Sequence, residues 1–226
     1  MNRQGAFAQY MTIPKRCLIE APKDMDPNHI ALTEPAATVI HAVNIAVEES
    51  YLPIQECQVL IIGAGAIGLL TALLLKSYGV KMQVLETNLA RHPCVKEHVG
   101  INPTNPLTES IRDNSFDVVI DCVGSEKTSS LSFDTVKTGG VIVNVGLQSW
   151  TSSINIRKLT LEEIKLIGCY TYSMEDFKSA LKTIERGEFG NLSWIKELPL
   201  SDANLAFRQL HDDRMSSAKV ILKPHL

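Results

Sequence analysis

Apolar residues follow two rhythms along this chain. Between residues 57 and 172, short runs of Val, Ile and Leu with no polar face alternate with longer segments whose apolar positions recur at helical spacing. The runs at 58–62, 81–86, 117–123, 140–145 and 164–171 predict strands, and the segments 66–77, 90–98, 126–136 and 159–163 predict helices. Strands that are apolar on both faces and separated by helices belong in a parallel sheet covered on both sides, a doubly wound α/β fold. One further strand of that topology is expected near 100–102, where the apolar signal is weakest.

The flanking segments read differently. Residues 6–13 and 17–19 predict two short strands separated by Pro14-Lys15-Arg16, with Pro22 closing the second. Asp26-Pro27 predicts a helix start, Asp as cap and Pro in the first turn, and Pro35 predicts the opening of a second helix that runs to about Val47. After Tyr172, Ser173 and Asp176 form a capping-box pair. Phe177, Ala180, Leu181 and Ile184 then make one helix face that Gly187 stops. A strand at 194–198, a helix capped by Ser201 and ending near 211, and a strand at 218–222 complete the pattern.

Composition narrows the class. With 226 residues, 45% apolar and 21% charged, the chain can bury a sizeable core, and disordered, collagenous and disulfide-dense classes are excluded. The formal charge is −3 and Lys and Arg nowhere cluster, so neither nucleic acid nor an anionic membrane is an expected partner. Cys17, Cys57, Cys94, Cys122 and Cys169 are scattered with no C-x-x-C pair, which fits reduced thiols and a cytoplasmic location. The first residues show no secretory or transit pattern. Residues 57–75 carry no charge over 19 positions, the length of a bilayer span, but glycines at 63, 65 and 68 divide them into a strand-like and a helix-like run.

Those glycines carry the clearest chemistry. Gly63, Gly65 and Gly68 make G-x-G-x-x-G directly after a predicted strand and directly before a predicted helix, with Ala66 and Ile67 inside the turn, and the acidic Glu86 follows 18 residues after Gly68. The first glycine permits a tight turn, the second lets a pyrophosphate approach the backbone, and the third lets the helix lie close to the strand. The free N–H groups of the helix then face the phosphates. The alternative is a Gly/Ala-rich helix–sheet contact with no ligand. Glu86 at the end of the second strand can accept both adenosine-ribose hydroxyls and repel a 2′-phosphate, selecting NAD over NADP; Arg91 nearby weakens that discrimination, and a solvated strand-end acid is the alternative. His41, on an apolar helix, reads as a satisfied core histidine.

Several segments together carry a family resemblance. Gly5-Ala6-Phe7-Ala8-Gln9-Tyr10, Glu34-Pro35 with His41-Ala42, the Gly63–Gly68 turn, Phe116 to Gly124 (FDVVIDCVG) and Gly139 to Gly146 (GGVIVNVG) occur in the order found in zinc-dependent medium-chain alcohol and polyol dehydrogenases, including those resembling sorbitol and threonine dehydrogenases. The resemblance spans nearly the whole chain. It implies a Rossmann domain at 51–172, the end of a GroES-like catalytic domain with a bridging helix at 1–50, and a return toward that domain at 173–226. It also implies that the Cys, His and acidic ligands of a catalytic zinc belong to a catalytic domain preceding Gly5. Glu34 matches an acidic position that approaches or binds the zinc in the polyol branch, with helix capping as the alternative role. Thr38 matches a position near the nicotinamide, with a backbone-bonded helix Thr as the alternative. Cys122, Val123, Val145 and Gly146 lie at carboxyl ends of strands, where such sheets bind ligands, and their backbone groups are the implied partners of the nicotinamide end.

The function so implied is hydride transfer between a secondary alcohol or polyol and a nicotinamide cofactor, in a homodimer joined through the edge strand 165–172, with this chain alone inactive. The rival readings are a stand-alone dinucleotide-binding module without catalysis and a zinc-free, NADPH-dependent reductase of the same superfamily.

Overall fold

The computed structural model describes residues 5–212 and 215–224. The first four residues, part of the stretch read for a leader, lie outside that set. Five strands form one parallel sheet: β1 (Gln58–Ile62), β2 (Lys81–Leu85), β3 (Phe116–Asp121), β4 (Val136–Asn144) and β5 (Lys165–Gly168), in the order β2-β1-β3-β4-β5. The connecting helices are α3 (Ala66–Ser77), α4 (His92–His98), α5 (Glu126–Thr135) and α6 (Ile156–Leu161). Ahead of the sheet run α1 (Pro27–Ala31) and α2 (Thr33–Glu49), and after it come α7 (Met174–Glu185), β6 (Ile195–Pro199), α8 (Ala203–His211) and β7 (Lys219–Lys223), with β6 and β7 paired in parallel.

The absence of a polar face on the strands explains the layering. Val59 and Ile61 of β1 are buried in the layer that contains α2 and α3, whereas Leu60 and Ile62 are buried with Phe133 of α5 and Ile142 of β4 on the opposite face. Fully burying each such side chain favours folding by about 1.5–3 kcal/mol, so both faces of the central strands drive assembly. No helix among the described residues is long and apolar enough to cross a membrane, and the uncharged stretch at 57–75 divides at its glycines as its composition requires.

Four expectations need correction. Residues 6–13 and 17–19 form no strand: residues 15–17 are a 3₁₀ turn, and Phe7, Tyr10, Met11, Ile13 and Leu18 are exposed. Alternating apolar residues cannot make a strand without a neighbour to receive their backbone groups, and none among the described residues is placed to do so. The strand expected at 100–102 is a single bridge at Thr104, whose N–H donates to the Val84 carbonyl at 2.9 Å and whose carbonyl accepts from Glu86 N–H at 3.0 Å; Pro103 has no N–H to extend it. α2 starts at Thr33, so Pro35 lies within its first turn instead of opening it. Ser201 caps nothing: it sits in a 3₁₀ turn, and Asp202 is the residue before α8. The capping box at α7 is present as expected, with Ser173 and Asp176 each accepting the other's backbone N–H.

Candidate dinucleotide site

The three glycines of the turn differ in what surrounds them. Gly63 has φ +91°, and a Cβ there would meet Val123 Cγ2 at 2.7 Å. A Cβ on Gly68 would stand 1.8 Å from the Gly63 carbonyl oxygen, so α3 can touch the turn only if this residue has no side chain. Gly65 has φ −68° and ψ −170°, ordinary extended geometry, and nothing lies within 4 Å of where its Cβ would be. The fold therefore requires Gly63 and Gly68, whereas at Gly65 it leaves open space. That space lies at the N-cap of the 12-residue α3, where no side chain caps the helix and half-buried Ala66 and Ile67 begin it. Uncapped N–H groups at a helix start beside open space fit an anionic group such as a pyrophosphate.

Glu86 adjoins this turn. It is 5% exposed, and each of its oxygens has a partner with a second lone pair left over: Oε2 accepts Ala64 N–H of the turn at 2.8 Å, Oε1 accepts Asn88 N–H at 2.7 Å, and its main-chain oxygen lies 2.8 Å from His92 Nε2. The Arg91 guanidinium stands 3.6 Å from Oε2. Glu86 is thus a buried, charge-compensated carboxylate gripping the glycine turn, not a solvated strand-end acid.

Asp121, the last residue of β3, does the corresponding work on the other side of β1. Its Oδ1 accepts the N–H groups of Val123 and Gly124, both at 2.9 Å, and its main-chain oxygen accepts those of Val145 and Gly146, both at 2.9 Å. The two loop segments touch backbone to backbone: a Cβ on Gly146 would lie 2.0 Å from the Val123 carbonyl carbon. The structure so brings together 122–124 and 145–146 at the carboxyl edge of the sheet. Sequence reasoning assigned Asp121 no role; its signal was an acid ending an apolar strand three residues before a glycine. Cys122 faces the opposite layer, and burial pushes its thiol far above its ordinary range.

The α2 residues are less tightly assembled. Thr38 is half-buried and Glu34 is exposed in the first turn. Burial first, and then the Glu34 carboxylate that its hydroxyl meets, push Tyr172 up to about 12. No group of three or more His, Cys, Asp or Glu among the described residues is placed to hold a metal ion. An exposed lone carboxylate does not fit a zinc centre, which takes three protein ligands or four. His41 is half-buried instead of sealed in the core: its Nδ1 lies 3.2 Å from Asp176 Oδ2, so it ties α2 to the acid that caps α7.

Known proteins share this architecture. The (R,R)-butanediol dehydrogenase of Saccharomyces cerevisiae is 26% identical over 98% of this chain and 61% of its own length, so the chain spans about three fifths of that relative. Two solved structures superpose at fold level: acetophenone reductase from Geotrichum candidum in complex with NAD (TM-score 0.80, 20% identity, 90% of this chain and 58% of that one), and a proposed zinc-binding dehydrogenase from Sinorhizobium meliloti bound to NADP (TM-score 0.79, 24% identity, 90% and 62%). The family model for zinc-binding dehydrogenases matches residues 66–186, from the first residue of α3 to the end of α7 and more than half of the chain. On that match the chain belongs to the zinc-binding dehydrogenase family.

Proposed function

We propose that residues 51–172 bind a nicotinamide dinucleotide, NAD in preference to NADP, and that the chain is the cofactor-binding part of an oxidoreductase acting on a secondary alcohol or polyol. The open space at Gly65, beside an uncapped helix start and a gripped carboxylate, is the observation that carries this reading. When bound, such a cofactor accepts or donates hydride at its nicotinamide ring. The rest is the work of this chain's residues. The first N–H groups of α3 take the pyrophosphate, and Glu86, fixed by Ala64 and Asn88, presents its carboxylate to the adenosine ribose. The loops at 122–124 and 145–146, held by Asp121, support the nicotinamide end near Thr38. The described residues hold no ligand set for zinc. We propose accordingly that the 226-residue chain binds the dinucleotide but turns over no alcohol by itself.

The edge strand β5 is proposed to pair with its twin in a homodimer. Its open ladder continues into exposed Tyr170, and α6, which precedes it in the chain, exposes Ile156 and Leu161. Bare edges of this kind aggregate unless paired, and a two-fold pairing closes them.

Titration with NADH and NADPH, read by nicotinamide fluorescence, tests the cofactor assignment. Hydrogen bonds to a charged group contribute about 1.5–3 kcal/mol, so NADH should bind about tenfold to a hundredfold more tightly than NADPH, and Glu86→Gln should abolish most of that difference. Equal or tighter NADPH binding by the unaltered chain refutes the preference; failure to bind either refutes the function.

A further inference from the structure

Glu86 is held by its main chain as well as by its carboxylate. Its N–H donates to the Thr104 carbonyl at 3.0 Å, and its own carbonyl lies 2.8 Å from His92 Nε2. A carbonyl only accepts, so Nε2 carries the hydrogen, and the bond stands whether or not the other ring nitrogen is protonated. Thr104 acts through its backbone and is braced by Gln83, whose Nε2 donates to the Thr104 hydroxyl at 2.9 Å. His92 acts through its side chain. It is half-buried at the first position of α4, and buried Val95 one turn on seats that helix against the core, so the helix keeps its place without the imidazole.

The clamp bears on which adenosine the turn accepts. A carboxylate at the end of β2 meets a ribose 2′-hydroxyl and repels a 2′-phosphate. Glu86 is 5% exposed and both carboxylate oxygens hold backbone N–H groups, so the side chain is enclosed where it stands. A 2′-phosphate therefore gains entry only by displacing the main chain at 86–88, which leaves the Arg91 guanidinium, 3.6 Å from Oε2, to meet it. That displacement breaks the His92 bond, whereas a free 2′-hydroxyl leaves it intact. A contact kept in one bound state and lost in the other separates the two ligands by its own worth.

We propose, resting on the dinucleotide reading, that His92 is a positioning residue for cofactor choice: by holding the Glu86 carbonyl it keeps the carboxylate from yielding to a 2′-phosphate.

The experiment titrates the unaltered chain, His92→Ala and His92→Gln with NADH and NADPH, read by nicotinamide fluorescence, with thermal unfolding of each. One net hydrogen bond corresponds to about twofold to tenfold in affinity, so His92→Ala should bind NADPH at least about threefold more tightly than the unaltered chain does and narrow the preference for NADH. His92→Gln, whose side-chain amide can donate to the same carbonyl, should restore the unaltered preference. A gain in NADPH affinity is the deciding readout, because a merely structural role would weaken both dinucleotides together. Unchanged or weaker NADPH binding by His92→Ala overturns the assignment, and so does a His92→Gln chain that behaves like His92→Ala. Should His92→Ala fail to fold, His92→Leu, which fills the space of the ring without a donor, carries the same expectation and the same refutation. An unaltered chain that binds the two dinucleotides equally, or neither, overturns the dinucleotide reading and this inference with it. A preference for NADH that His92→Ala leaves untouched overturns the positioning role alone.

Discussion

Gly65→Val separates ligand chemistry from folding, because the structure gives the substitution no steric reason to unfold the chain. The backbone at Gly65 is at φ −68° and ψ −170°, and nothing lies within 4 Å of the new Cβ. Replacing glycine where the backbone already suits a side chain stabilises by about 0.4–1 kcal/mol through the unfolded state. An apolar residue at an N-cap costs a comparable amount, so net stability should change by less than about 1 kcal/mol. Ligand binding should respond very differently, since the valine occupies the space through which a pyrophosphate reaches the first N–H groups of α3. Losing two charge-assisted hydrogen bonds at about 1.5–3 kcal/mol each removes about 3–6 kcal/mol, a weakening of NADH binding of at least about a hundredfold. Gly68→Ala is the opposite case. Its methyl would lie 1.8 Å from the Gly63 carbonyl oxygen, backbone against backbone, and relief requires lifting α3 off the turn, at a cost in the upper range for single substitutions, about 4 kcal/mol. Thermal unfolding and NADH fluorescence titration on both variants provide the check. A folded Gly65→Val that still binds NADH within about tenfold of the parent chain would refute the placement of the pyrophosphate, and a stable Gly68→Ala would refute the packing argument.

Three further outcomes are expected. Asp176→Ala should destabilise the chain by about 2–4 kcal/mol, because Asp176 accepts from Ser173 N–H at 2.9 Å and from Asn44 Nδ2 at 3.3 Å and stands beside His41; a denaturant midpoint like that of the parent chain would count against it. Stability should fall as pH rises from 9 toward 11. Burial, with a smaller contribution from Asp176, pushes Cys169 up to about 11 from 9.0, so between those values the native thiol keeps a proton that the unfolded chain releases, at about 1.4 kcal/mol per pH unit. Buried Cys122, raised further still, acts over the same window, so Cys169→Ala should reduce that slope without abolishing it, and equal unfolding midpoints at pH 8 and pH 10 would contradict the argument. Light scattering at tens of micromolar should give the mass of a dimer, and a monomer there would remove the β5 pairing.

What the sequence displayed depended on how local the determining contacts are. The glycine turn, β1 and the capping box of α7 rest on neighbours within a few residues, and all three appear where the pattern places them. The strands expected at 6–13 and 17–19 needed a partner elsewhere, and alternation alone cannot supply one. Thr104 shows the same dependence in reverse: a single residue joins the sheet because Val84 and Glu86 offer it a carbonyl and an N–H, and no apolar run announces it. Ser201 was a reasonable cap by residue type, yet the chain makes a 3₁₀ turn across 200–202, so Asp202 takes the place before α8 and the Ser201 hydroxyl meets the Asp202 carboxylate instead of a helix N–H. For Glu86 the spacing from Gly68 was enough to mark the position. The grip of its carboxylate on Ala64 was not legible, because it depends on β1 and β2 lying side by side.

That grip has a counterpart, and the comparison shows how the carboxyl edge is prepared for a ligand. β1 lies between β2 and β3, and on each side an acid at or just past the strand end holds a loop by its N–H groups: Glu86 takes Ala64 and Asn88, and Asp121 takes Val123 and Gly124. Each carboxylate fixes backbone that would otherwise have to be ordered when a ligand arrives, so the entropy of ordering those loops is spent in folding instead of in binding. The two acids differ in what remains. Glu86 has both oxygens engaged and the Arg91 guanidinium at 3.6 Å, so its charge is compensated before any ligand binds. Asp121 has one oxygen engaged and the other buried with no hydrogen-bond partner among the described residues. A fold that needed only a loop clasp at Asp121 could have used a neutral Asn there, since one acceptor suffices for both N–H groups.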